Sequence, residues 1–149
     1  MTAVVEPPTV ESTVHKDLGR IRSALLEAEL AGRPADRYLA AYLAALRTAA
    51  LVLAIRARPA QTAGRPRNAW QVLAEVAPEL GEWAGFFASI EGKREAVRAG
   101  ATTIVSARQA DDLVRDAEAF LAVVERAIGR RSAGAADRTW AAGAGVNRS

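Results

Sequence analysis

The run from Tyr38 to Ile55, YLAAYLAALRTAALVLAI, is apolar around almost the whole circumference of a helix, with only Arg47 and Thr48 interrupting it. A helix on the surface of a soluble bundle needs only one apolar stripe, so this one has to be wrapped by neighbours or by lipid. Its length is near the minimum for crossing a bilayer. Arg47 stands at its midpoint, however, where a charge is costly, and seven of its 18 residues are alanine, which is weakly hydrophobic. Other amphipathic segments of the chain also need a surface to bury against. A buried central helix, with no membrane, meets both requirements.

Upstream, Val14, Leu18, Ile21, Leu25 and Ala28 recur at helical intervals, widened by Leu26 and Leu30, while Lys16, Arg20, Glu27 and Glu29 lie mostly off the stripe. This predicts an amphipathic helix capped by Ser12 or Thr13 and running to about Ala31, with Asp17 in its early turns. Gly32 is placed to take the left-handed conformation that ends a helix, and Pro34 to open the next one. So tight a turn sets the central helix antiparallel to the first. Arg56 and Arg58 suit the negative end of its dipole, and Pro59 stops it before the polar loop PAQTAGRPR.

From Asn68, the residues Trp70, Leu73, Val76 and Ala77 mark a short helix that meets Pro78. Proline fits a first turn and breaks an interior, so a new helix or a kink is expected in ELGEWAGFFASIEGKREAVRAG, with Leu80, Trp83, Phe87 and Ile90 inward and Gly100 as its end. Gly81 and Gly85, one turn apart, read as a packing notch. After ATTIV, Ser106 and Gln109 form a capping box for a last helix to about Ile128. Its seam is Leu113, Ala117, Phe120, Val124 and Ala127, with Val114, Leu121 and Ile128 alongside. The fold expected is all-α: a four- or five-helix up-and-down bundle over residues 12–128, a flexible N-terminal arm over 1–11 and a disordered basic tail over 129–149. The alanines of the central helix are the notches that receive Trp70, Trp83 and Phe87.

Composition narrows the chemistry. The 149 residues, half of them hydrophobic, are enough for one core, and plentiful alanine with few aromatics favours closely packed helices. The net charge of +3 and pI near 9.9 suggest nucleic acid until the arginines are located. Arg130, Arg131, Arg138 and Arg148 against Asp137 account for the whole excess, and the rest is neutral. The absence of cysteine removes thiol catalysis, disulfides and cysteine-ligated metal. The first residues do not pair a basic start with an apolar run, which points to the cytoplasm.

No familiar catalytic set assembles. His15, the single histidine, has no neighbour that completes a site, and zinc needs more nitrogen or sulfur ligands than the chain owns. Asp111, Asp112, Asp116 and Glu118 could offer oxygens to magnesium, but acids also collect in first turns because of the dipole. Gly92 and Lys93 lack the spacing, the following Ser or Thr and the leading strand of a P-loop. A hydrolase triad lacks a second base.

Between residues 33 and 67, Arg33, Arg37, Arg47, Arg56, Arg58, Arg65 and Arg67 face Asp36 as the sole acid. They make a phosphate-facing patch if they share a side, or simply solvate an alanine-rich surface. No aromatic is interleaved in the loop to stack bases. Arg47 is flanked by apolar residues on both sides. Buried, it needs a carboxylate such as Glu27, Glu82 or Asp112; above a pocket, it could meet a nucleotide phosphate.

The order of AAYLAALRTAALVLA, a short loop and helix, EGKREAVRAG and SARQADDLVRDAEAFLAVVE resembles a HEPN domain over about residues 15–128, most of all its small actinobacterial subfamily. The resemblance implies a helical bundle that often dimerises. It also implies, for many members, metal-independent RNA cleavage through an arginine followed about five to seven residues later by a histidine. Arg94 and Arg98 are the corresponding arginines, but Arg94 leads to Ala99, Gly100 and Ala101, and Arg98 to Thr103, Ile104 and Val105. Without the imidazole the nuclease activity is not carried over, and Lys93, Arg94 and Arg98 keep at most a phosphate-binding role. The expected function is a non-catalytic HEPN-like module, as a homodimer, binding RNA or a nucleotide, or a protein partner, with no metal or cofactor. Its candidate contacts are Arg47, Arg56, Arg58, Arg65, Arg67, Lys93, Arg94 and Arg98. A ribonuclease with a displaced site and a structural interaction domain are the alternatives.

Overall fold

The computed structural model describes residues 7, 9–57 and 68–144, without the side chains of 131–133 and 135–144. Among these residues the fold is all-α. Helix α1 spans Val10–Leu30 and α2 spans Pro34–Arg56. The short α3 covers Ala69–Val76, and a 3₁₀ turn over Pro78–Leu80 leads into α4, Gly81–Ser89. Then come α5, Glu91–Arg98, a second 3₁₀ turn at Thr102–Ile104, and α6, Ala107–Ala144. Arg58, Arg65 and Arg67, with most of the loop that carries them, lie outside the described residues.

Local chemistry sets most boundaries where the pattern put them. Pro34 opens α2, Asn68 caps α3 by accepting the Trp70 amide at 2.8 Å, and Pro78 begins a new turn. The Ser106–Gln109 box forms in both directions, at 3.0 and 3.1 Å, and Gly100, with φ of 117°, ends α5. Four details differ. Thr9 caps α1 in place of Ser12 or Thr13, because its hydroxyl already accepts the Ser12 amide. Gly32 does not turn left-handed; Ala31 is extended, and the Arg37 guanidinium donates to the Ala31 carbonyl at 2.8 and 3.2 Å, closing the end of α1 with a side chain. The helix after Pro78 breaks at Ile90, next to a Ser89 hydroxyl that bonds back to the Phe86 carbonyl. The backbone of α6 stays helical past Ile128 and Gly129 to Ala144, a stretch with no proline to break it.

Helix α2 packs on both α1 and α6, with α3 and α5 on a further side. Ala41, Ala44, Ala45 and Ala49 are fully buried, so the neighbours approach closely. The aromatic centre is Tyr42, Trp70, Phe87 and Phe120, with Trp83 half-buried beside Phe120. Trp70 stacks on Phe87 at 4.9 Å and donates its indole N–H to the Tyr42 hydroxyl at 2.8 Å. No buried side-chain polar atom among the described residues lacks a partner.

The expectation of a fully wrapped α2 is corrected. It is the one described helix long and apolar enough to cross a membrane, and only 50% of its most apolar stretch is buried. Leu43, Arg47, Ala50 and Ala54 face outward. Thr48 is the polar residue that goes inside, satisfied by donating to the Ala44 carbonyl at 2.8 Å.

Candidate functional site

Helix α5, EGKREAVR, puts Val97 into the core, half-buries Glu91, Lys93 and Arg94 and leaves Glu95 and Arg98 exposed. It lies on α2, where Tyr38 and Tyr42 are one turn apart and show ring faces to it. The Lys93 ammonium sits 5.8 Å above the Tyr38 ring, and the Arg94 guanidinium carbon 5.1 Å above the Tyr42 ring. Each contact is worth roughly 0.5–1 kcal/mol and fixes where the cation rests. Tyr42 is itself fixed by Trp70. Burial raises the pKa of both phenols, with Tyr42 adding to the effect on Tyr38 and the Trp70 hydrogen bond opposing it on Tyr42. Both rings therefore stay neutral and electron-rich under the cations.

The charges around this ledge are unevenly paired. Arg94 donates to Glu95 at 2.7 Å, and Arg98, one turn on, stands 3.6 Å from the same carboxylate. Exposed pairs of this kind hold weakly. Glu91 is engaged by the Asn68 side-chain amide, which ties α5 to the start of α3. Lys93 has no carboxylate partner among the described residues. The ledge carries three cations and no imidazole: His15, the only histidine, is exposed on α1.

The other sequence candidates do not join it. Arg47 is exposed rather than buried and forms no ion pair among the described residues, because its long side chain reaches water from the outward face of α2. It lines an open cleft of about 770 Å³ between α1 and α2, with Lys16, Arg20, Asp17 and Glu27. Arg56 is paired with Glu79, whose carboxyl is held below its usual range mainly by that hydrogen bond. Of the remaining arginines, Arg37 is structural, joining the end of α1 to Asp111 of α6.

Sequence reasoning missed a carboxyl pair across the α1–α6 seam. Glu29 and Glu118 line a small cleft with Arg37, Asp111 and Arg115, and Glu118 is pushed up to about 7, first by its hydrogen bond to Glu29 and then by burial and Glu29's charge. Nothing in the spacing of two glutamates so far apart signals this. Asp116 is also raised, by burial and by Asp112. Among the described residues no three His, Asp or Glu side chains gather as a metal site. The tyrosine platforms did carry a signal, an aromatic pair one turn apart on an otherwise aliphatic helix.

An all-α bundle with a basic short helix seated on its central rod is the class this geometry defines. A family model described as SAV_6107-like HEPN matches residues 28–125, from the end of α1 to the middle of α6. The chain belongs to this HEPN family. Comparisons with curated proteins and with solved structures return no match.

Proposed function

We propose that this chain is a non-catalytic, cytoplasmic HEPN module that binds the phosphates of RNA or of a nucleotide at the α5 ledge, where α5 lies along α2. The observation that supports this most is Lys93, held over Tyr38 without a carboxylate partner among the described residues and beside Arg94 on Tyr42. Cations seated on aromatic faces are positioned in advance and keep N–H donors for phosphate oxygens. Arg98 extends the same face by one turn. Tyr38 and Tyr42 are buried, so they serve the cations and not the bases, and recognition is by charge rather than by sequence. The motif arginines lack their histidine, so phosphate contact has no acid or base to turn it into cleavage.

Fluorescence anisotropy with labelled single-stranded RNA and labelled ATP, in EDTA, tests this reading. Binding should weaken with salt and fall about tenfold in the Lys93→Ala, Arg94→Ala double variant, with the RNA intact. Cleavage that disappears in Arg94→Ala would show a nuclease instead. No salt-sensitive binding to either probe would leave a protein-interaction domain.

A further inference from the structure

One carboxylate holds two of the three cations on the α5 ledge. The same oxygen of Glu95 accepts from Arg94 at 2.7 Å and lies 3.6 Å from the Arg98 guanidinium, while Lys93 stands over Tyr38 with no carboxylate of its own among the described residues. Glu91, the other acid of α5, is taken up by the Asn68 side chain. An anion that reaches the ledge therefore meets Arg94 and Arg98 already joined to Glu95, and has to displace it.

We propose that Glu95 is a resident counter-ion that makes the ledge select a terminal phosphate, the doubly charged end of an RNA or a nucleotide, over the internal phosphodiesters of a strand. The inference rests on the phosphate-binding reading above and narrows its ligand. A phosphodiester brings a single negative charge and two free oxygens, no more than a carboxylate does, so exchanging Glu95 for it gains little and leaves two anions side by side. A phosphomonoester carries about −1.5 to −2 at neutral pH and has three acceptor oxygens. It can engage both arginines and Lys93 together, and its larger charge outweighs the pair it breaks. The displaced carboxylate is not stranded, because the Glu95 side chain is 54% exposed and turns into water. Lys93 and Arg94 stay on their tyrosine rings throughout, so only one side chain has to move.

Fluorescence anisotropy with one labelled tetrauridylate, made with a 5′-phosphate and with a 5′-hydroxyl, tests the selection at fixed ionic strength in EDTA. Wild type should bind the 5′-phosphate form at least about fivefold tighter. Glu95→Gln keeps the length of the side chain and removes its charge. It should strengthen binding of the 5′-hydroxyl form about fivefold and cut the preference to about twofold or less. Glu125→Gln makes the same change of net charge where α1 meets α6, at the partner of Arg22, and should leave the preference as it is. Equal binding of the two forms by wild type, or a preference that Glu95→Gln does not alter, overturns the selection while phosphate binding stands. Binding of neither form removes the phosphate-binding reading, and the selection with it.

Discussion

Arg47 and Thr48 are adjacent interruptions of one apolar run, and the fold sends them to opposite environments. The threonine hydroxyl finds the Ala44 carbonyl one turn back and needs nothing else, so burial costs it little. A guanidinium has no such local partner, so it takes the open face. That choice was not legible in the sequence, because an all-round apolar pattern does not say which face neighbours leave uncovered. Two substitutions probe the buried faces. Ala45→Leu places a large side chain where exposure is 0%, and should destabilise by about 1–3 kcal/mol, read as a lower urea midpoint. Tyr42→Phe leaves the buried Trp70 N–H without its acceptor, at about 1–3 kcal/mol, and should also loosen Arg94 on its ring. Tryptophan fluorescence during unfolding would report both.

At the scale of elements, the starts and stops were the legible part. Pro34, Asn68, Pro78, Gly100 and the Ser106–Gln109 box each act within a few residues, so the sequence displays both partners. The seams between elements were hidden, since Arg37–Asp111, Arg22–Glu125 and Glu29–Glu118 join distant positions. The last of these has a consequence for stability. In the folded chain the Glu29–Glu118 pair holds a proton up to about pH 7, whereas an unfolded glutamate releases it near its ordinary value of 4.5. The folded state thus binds more protons between those limits, and its stability should fall as pH rises from about 4.5 to 7 and level off above. Glu118→Gln keeps the hydrogen bond without the charge and should flatten that slope. At lower pH the trend reverses, because Glu79, held ionised by Arg56, loses its pair as it protonates. Urea midpoints at pH 5 and pH 8, in wild type and variant, check the sign.

Over the whole molecule, the excess positive charge and the proposed binding face are in different places. The +3 comes from residues 130–149, while the α5 ledge belongs to a nearly neutral body. Net charge therefore cannot say which of them meets RNA, but salt dependence can. Each phosphate neutralised on a single strand contributes about −0.7 to the slope of log affinity against log salt. Lys93, Arg94 and Arg98 acting together predict a slope of about −2, and Lys93→Ala with Arg94→Ala should flatten it by about 1.4. A chain ending at Gly129 should keep the wild-type slope if the ledge does the binding. If the arginines beyond Gly129 do it, the truncated chain should lose the slope and the double variant should keep it.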